Sequence, residues 1–331
     1  MCLSGDMFYR SFPAVFLFAM AVGFGLDDIS AETGMKTFTA AQLKLPGKKG
    51  ACFTLRERGD KNGGTVDVNM PKVTALNPSW NYSWGTERVR EQPGLIEFVP
   101  MVWGASSKEA LEKRLKADVI PAIKNGKVKR LLGFNEPDKE DQSNMPYTNA
   151  LELWPILEKL GVPLCSPACA NPEGVNDESV QGVPGTWMRD FMKEADKRGY
   201  RVDYIGVHWY GGTDAAGFKA KMKRIYEKYG KRPLLITEFA PADWKTGGDL
   251  KRHKHKPESV LEFMKDVLPW MEEQDWIAGY SWFSFHIESP QGTSSALFDK
   301  TGNLTACGQF YRSVTPHNPR GDQSIRIDSK Q

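Results

Sequence analysis

The stretch Val128-Lys129-Arg130-Leu131-Leu132-Gly133-Phe134-Asn135-Glu136-Pro137-Asp138 decides how this chain is read. A short, strongly apolar run ends at Phe134, and a glutamate follows almost at once. Pro233 to Ile236, continued by Thr237-Glu238-Phe239, repeats the arrangement further along. Apolar runs of this length, bounded by Gly or Pro, read as buried parallel strands. Both carboxylates are then expected at the C-terminal ends of core strands, where parallel α/β folds place their chemistry. A facing pair of carboxylates is what glycoside hydrolysis requires. One donates a proton to the leaving oxygen; the other meets the oxocarbenium-like carbon as nucleophile or through an activated water.

Outward from these two runs, the chain alternates. Apolar runs recur at Ala51–Leu55, Ala75–Trp84, Ile96–Val102, Lys129–Phe134, Val162–Ala168, Tyr204–Tyr210, Leu234–Phe239 and Ile277–Phe285. Between the later ones lie segments with helical spacing: Leu111, Leu115, Val119 and Ile123; Trp187, Phe191 and Ala195; Phe218, Met222, Tyr226 and Tyr229; Val260, Met264, Val267 and Met271. Thr148–Leu160 is also helical in pattern, with Pro155 expected to start or kink it, and a last helix is expected over about 304–313. The run-end residues Glu136, Cys169, His208, Glu238 and Trp282 fall 30 to 44 positions apart. A (β/α)8 TIM barrel of roughly 250 residues uses about 31 per unit. The pattern therefore predicts an α/β fold made of one such barrel over residues 50–314, not two domains. The first two units are irregular, because Arg56–Lys72 is polar and Gly-rich, and the polar tail 315–331 is expected to be disordered.

Composition narrows the function classes. Of 331 residues, 40% are hydrophobic and 26% charged, which suits a soluble domain with a sizeable core. The net charge of +3 gives no basis for nucleic-acid binding or for an acidic membrane surface. Arg10 precedes an apolar stretch, Phe12 to Leu26, too short and Gly-interrupted for a comfortable membrane span. Small residues follow, so 1–31 reads as a signal peptide cleaved between Gly25 and Ala31, with Met7 an alternative start and an uncleaved anchor the rival. A secreted or periplasmic protein follows, and no Leu-x-x-Cys arrangement points to a lipid anchor. Export permits disulfides among Cys52, Cys165, Cys169 and Cys307, but sequence does not choose a pairing, and buried thiols are equally consistent. Their spacing matches no zinc signature, and no metal or cofactor is expected.

Around the two glutamates several side chains are candidates for holding a ligand. Asn135 carries a donor and an acceptor beside the expected acid and suits a sugar hydroxyl, or caps the loop backbone. His208 and Tyr210 point the same way on the run next to Glu238, so either hydrogen-bonds that carboxylate; a satisfied core histidine is the alternative. Tyr82 and Trp84 alternate on the second run, Trp103 and Trp282 close the third and eighth, and Trp244 lies in a loop. A sugar's C–H face stacks on such rings, each contributing on the order of 1 kcal/mol; core packing is the competing use. The basic run Lys251–Lys256 reads as a solvated loop. The Arg-Gly-Asp triplets at Arg58 and Arg320 carry no weight, and Asn81 and Asn303 open glycosylation sequons only in a eukaryotic secretory route.

The strings Leu132 to Asp138, His208-Trp209-Tyr210, Thr237-Glu238-Phe239 and Ser281-Trp282-Phe283 resemble glycoside hydrolase family 128, the glycosyl hydrolase catalytic core family among the barrel enzymes of clan A. The resemblance covers about 50–313. It implies a cofactor-free, retaining endo-β-1,3-glucanase, with Glu136 as acid/base and Glu238 as nucleophile. Departures lie at Ala240 to Trp244 and in the Gly-rich stretch after Cys52, both in cleft-lining segments. On this reading Glu136 is kept protonated by less polar surroundings and Glu238 is the anion. The expected partner is a β-glucan oligosaccharide or polysaccharide, and the expected state a monomer. Two alternatives stay open: the same barrel acting on another β-glycan or as a transglycosylase, and a non-catalytic glycan-binding protein of the cell envelope.

Overall fold

A computed structural model of the chain describes residues 37–55, 69–173 and 185–314. The expected signal peptide, the expected tail and both Arg-Gly-Asp triplets lie outside the described residues. In chain order the elements are α1 (Ala40–Leu43), β1 (Gly50–Cys52), α2 (Met70–Ala75), β2 (Trp80–Tyr82), β3 (Glu97–Phe98), α3 (Lys108–Arg114) and α4 (Ile120–Lys124). They continue with α5 (Tyr147–Glu158), α6 (Trp187–Lys197), β4 (Ile205–Gly211), α7 (Ala215–Lys228), β5 (Leu234–Pro241), α8 (Pro257–Glu273), β6 (Ile277–Trp282) and α9 (Ala306–Ser313).

The strands form two three-stranded parallel sheets, ordered β1-β2-β3 and β4-β5-β6. This differs from the single eight-stranded sheet the sequence predicts. The runs around Leu131–Asn135 and Leu164–Cys169 pair only through isolated parallel bridges, Met101 with Leu132, Leu131 with Leu164, Asn135 with Ala168, Cys165 with Tyr204 and Cys169 with Val207. Proline contributes to the interruption: Pro167 lies within the second run and Pro163 just before it, Pro100 stands beside the first run next to Met101, and none of them has an N–H to give a ladder. On the other side, Lys49 bridges to Tyr280 and Cys52 to Phe283, linking β1 to β6. Gly133 permits the tight packing here, since a Cβ at that position would sit 2.8 Å from the Cys165 carbonyl oxygen.

Helices cover the strands with the faces their spacing predicts. Leu111, Leu115 and Val119 are buried, as are Trp187, Phe191 and Ala195, then Phe218 and Met222, then Val260, Met264, Val267 and Met271. Side-chain caps begin several helices: Ser107 accepts from the Ala110 N–H, Asp214 from Gly217 and Thr305 from Gly308. Between α3 and α4 the chain takes one π-turn, Leu115–Val119, just before Pro121, whose ring and missing N–H an unbroken α-helix does not accommodate. Pro155 departs from expectation. Helix α5 starts at Tyr147 and runs through Pro155, with Leu153, Trp154, Ile156 and Leu157 all buried, so packing overrides the lost hydrogen bond.

Two adjacent lysines tie the ends of the chain's last helices to β1. The Lys48 ammonium donates to the carbonyls of Met271, Glu272 and Gln274 at the end of α8. The fully buried Lys49 ammonium donates to those of Tyr311, Arg312 and Val314 at the end of α9. Each satisfies carbonyls that a helix end leaves without partners. At the N-terminal ends of the strands, buried Arg130 lies 2.6 Å from Glu97, and Tyr204 donates to the Leu43 carbonyl of α1, which closes that face.

The four cysteines among the described residues, Cys52, Cys165, Cys169 and Cys307, are buried free thiols. Asn81 is also buried, with its side-chain oxygen accepting from Gln92, so its sequon is out of reach in the folded chain. Among the described residues no helix is long and apolar enough to cross a membrane.

Candidate active site

The opposite face, at the C-terminal ends of the parallel strands, gathers the titratable side chains. Glu238 does not end its strand as expected: β5 continues to Pro241. The register against β4 skips there, with Val207 opposite Ile236 and His208 opposite Glu238, so Thr237 is the extra residue of a bulge. A bulge re-aims the side chain that follows it, and here it sets Glu238 beside His208. Glu136 stops the Leu131–Asn135 run by turning to φ +38°, a left-handed conformation that a non-glycine residue adopts at a cost. Its amide still donates to the Ala168 carbonyl at 2.7 Å, and its carbonyl accepts from Lys139.

One imidazole joins the two carboxylates. His208 Nδ1 lies 3.0 Å from Glu136 Oε1, and Nε2 lies 3.4 Å from Glu238 Oε1. A carboxylate oxygen from each glutamate and a nitrogen of His208 all lie within 4.8 Å of one another. The ring turns its two nitrogens toward different carboxylates: Nδ1 is hydrogen-bonded to Glu136, whereas Nε2 lies near Glu238 without a hydrogen-bond partner.

Glu238 is surrounded by donors. The Trp84 indole N–H donates to Oε1 at 2.6 Å and the Tyr210 hydroxyl to Oε2 at 2.5 Å, while the Tyr82 hydroxyl lies 3.3 Å from Oε1 and makes its shorter bond, at 3.0 Å, to the Thr237 carbonyl. Trp84 reaches it from a left-handed backbone of its own, φ +56°. Hydrogen bonds of this kind hold a carboxylate in one orientation. Burial, then the Glu238 charge, raises both tyrosine pKa values well above the ordinary phenol value, so both stay protonated donors.

The electrostatics correct one expectation. His208 was expected to serve Glu238, leaving Glu136 protonated, yet its shorter contact is with Glu136. Burial pushes the Glu136 carboxyl up, but the bond and charge of His208, with the Lys139 ammonium 3.5 Å from Oε2, outweigh it and leave the pKa lowered. Burial pulls the His208 imidazole down; the charges of Glu238, Glu136 and Asp138 and the bond to Glu136 outweigh that and raise it. Both shifts favour an ionised Glu136 and a protonated His208. Neighbouring strands suggested the pairing with Glu238; the reach of a buried ring across the site decided otherwise.

The remaining candidates divide by exposure. Asn135 is buried, its amide N–H donating to Gln142 and its oxygen without a protein partner, beside the acid as expected. Trp244, 60% exposed, stands edge-on to Tyr210, and Trp103 is 38% exposed with its carbonyl accepting from the Asn135 amide. Tyr82 is fully buried and acts on Glu238 rather than on a ligand. Trp282 is 1% exposed, packs on Phe239 and donates to the Ser295 carbonyl, so it belongs to the core and not to a binding groove. Placement at a strand end does not reveal which side of the sheet a ring takes. Lys139, and the donor role of Trp84, went unread; the spacing Glu136-x-x-Lys139 was the available signal for the first. A cleft of about 490 Å³ opens beside the site, with Trp84, Phe283, Phe285, Phe298, Lys72 and Lys300 in its walls.

The sequence model of the family described as glycosyl hydrolase catalytic core matches residues 57–311. No curated protein matches the chain. Among solved structures, the chain is similar to a subgroup I endo-β-1,3-glucanase of family GH128 from Amycolatopsis mediterranei, a mutant in complex with laminarihexaose: 27% identity, TM-score 0.63, 81% of this chain and 100% of that one. A subgroup II endo-β-1,3-glucanase from Sorangium cellulosum matches at 26% identity and TM-score 0.58, over 82% of this chain and 100% of its own. A subgroup III curdlan-specific exo-β-1,3-glucanase from Blastomyces gilchristii, in complex with glucose, matches at 25% and 0.55, over 81% and 98%.

Proposed function

The chain belongs to the glycosyl hydrolase catalytic core family and is a glycoside hydrolase, and from that premise we propose that it cleaves β-1,3-glucan with retention of configuration. The observation that carries this reading is the spacing of the carboxylates. Oxygens of Glu136 and Glu238 approach within 4.8 Å, near the roughly 5–5.5 Å of retaining enzymes and short of the roughly 6.5–9.5 Å that leaves room for an inverting water. The substrate class follows from the likeness to enzymes described as β-1,3-glucanases. An exposed Trp244 beside a cleft with aromatic walls suits the flat faces of glucose units.

In this reading Glu238, aligned by Trp84, Tyr82 and Tyr210, attacks the anomeric carbon while the bond to the leaving oxygen breaks. Glu136, having taken the proton held by His208, gives it to that oxygen. In the second step Glu136 takes a proton from water, whose oxygen attacks the same carbon and releases Glu238. The ring of parallel bridges joining both sheets on both sides supports closure of the strands into a (β/α)8 barrel, which would put the whole constellation at its C-terminal mouth. Export after removal of the N-terminal segment, and action as a monomer, complete the proposal.

Incubation with laminarin, lichenan, cellulose and mannan, followed by sizing of the products, tests the substrate. Release of laminari-oligosaccharides from laminarin is expected. Turnover confined to another β-glycan, or binding of laminarin without reducing-sugar release, would overturn it.

A further inference from the structure

The acid/base reading of Glu136 leaves a nearby cation unaccounted for. The two oxygens of this carboxylate have different surroundings. Oε1 faces the buried His208 ring; Oε2 faces the Lys139 ammonium, whose side chain is 42% exposed. With Oε1 engaged by the imidazole, Oε2 is the oxygen left to meet a leaving group, and Lys139 already stands there. The same ammonium lies 3.5 Å from Asp141, itself 71% exposed. Lys139 is thus shared between one buried and one solvent-facing carboxylate.

The backbone fixes this arrangement. The Lys139 amide donates to the Glu136 carbonyl, Gln142 donates to the Lys139 carbonyl, and Met145 donates to that of Pro137. Asp138 pins the turn to the neighbouring loop through the amides of Ala170 and Asn171, at 2.8 and 3.0 Å. The loop holds its shape while the long, exposed lysine side chain is free to swing.

Resting on the reading of Glu136 as the acid, we propose that Lys139 is a positioning residue: it holds Glu136 as the anion in the empty site, and the leaving-side sugar displaces it onto Asp141. The glycosidic oxygen then takes the place of the ammonium at Oε2. Loss of that cation lets the proton on His208 Nδ1 pass to Glu136 Oε1, so the acid is armed only when a sugar occupies the leaving side. The charge balance closes, since one proton moves from imidazolium to carboxylate and Lys139 keeps its own. The other groups acting on this pair are Asp138, Glu238, Tyr210 and Cys169; the two tyrosine and cysteine groups stay neutral, so Lys139 is the exposed cation that can be removed without touching the buried site.

The test is the pH profile of kcat/KM on laminarin for Lys139→Met, Lys139→Arg and Asp141→Asn, with thermal melts to verify folding. Kcat/KM reports the free enzyme, and its alkaline limb reports loss of the acid's proton. Removing the cation should move that limb to higher pH by about half a unit in Lys139→Met, a size reduced by solvent exposure. Lys139→Arg should keep the wild-type limb. Asp141→Asn, which removes the alternative partner, should move it the other way. An unmoved limb in folded Lys139→Met, or a shift of the same sign in Asp141→Asn, would overturn the proposal. Glu136→Gln separates the two readings: wild-type activity in that variant would sink the acid/base role itself, whereas an inactive Glu136→Gln with an unmoved Lys139→Met limb would sink only the role of Lys139.

Discussion

Glu136 and Glu238 share one imidazole yet differ in everything else around them. Glu238 receives two close side-chain donors, Trp84 and Tyr210, with the Tyr82 hydroxyl a longer contact, while Glu136 meets a histidine and a lysine. That asymmetry suits the proposed roles, and azide tests them. Removing Glu136 should spare the first step for substrates with good leaving groups, and azide should restore turnover as the β-glycosyl azide. Removing Glu238 should yield the α-azide instead; the opposite pair of anomers, identified by NMR, would reverse the roles. The tryptophans separate at the same scale. Trp244→Ala should raise KM for laminarin about fivefold, the worth of about 1 kcal/mol of stacking, with an unchanged melting midpoint. Trp282→Ala should destabilise the fold by about 3–5 kcal/mol as a cavity in the core. A Trp282 variant that melts like wild type but binds glucan poorly would return that ring to the cleft. Both glutamates were legible in the sequence because each follows an apolar run, and such a run fixes depth and direction. What a run does not fix is which buried ring reaches across the site. Of the two donors the sequence offers Glu238, His208 and Tyr210, it is Tyr210 that makes the hydrogen bond while His208 sits closer to Glu136, and the Trp84 N–H serves Glu238.

The elements show where local signals decide and where packing overrules them. Helix faces such as Phe218–Met222 and Val260–Met264–Val267–Met271 came out as their spacing predicts, because burial of one stripe is the main stabilisation a short helix has. The strands were harder. Prolines at 100, 163 and 167 sit in apolar runs that look like strands by composition, yet they cannot ladder, so two of the eight runs are held by single bridges. Pro155 misled in the other direction, since buried neighbours carry α5 through it. The lysine pair at the start of β1 carried no sequence signal, being set by helix ends more than two hundred residues away. Lys49→Met leaves carbonyls at the end of α9 without their donor and should cost about 2 kcal/mol by thermal or denaturant unfolding. The pH dependence has a definite sign. Burial lowers the Lys49 pKa from 10.5 to about 8, so between those values the unfolded chain binds the extra proton and wild-type stability gains with pH. The gap between wild type and Lys49→Met should widen from pH 8 to pH 10.5; a gap that narrows there would mean the ammonium is not buried as described.

Across the whole molecule, the two ends of the parallel strands are used differently. One is sealed by Arg130, Glu97, Tyr204 and the short helix α1, and the other holds strained backbone at Glu136 and Trp84 around the His208 imidazole. Strained backbone gathered at one end, beside two buried carboxylates, is the distribution expected of a site built for chemistry. The double displacement proposed for the two glutamates on β-1,3-glucan is tested by the anomer released first. Laminarin should be hydrolysed in an NMR tube and the reducing-end anomeric protons followed from the first minutes, before mutarotation mixes them. The account predicts that the β-anomer appears first and the α-anomer grows in only as mutarotation proceeds. First release of the α-anomer would mean inversion, and would remove the nucleophile role from Glu238.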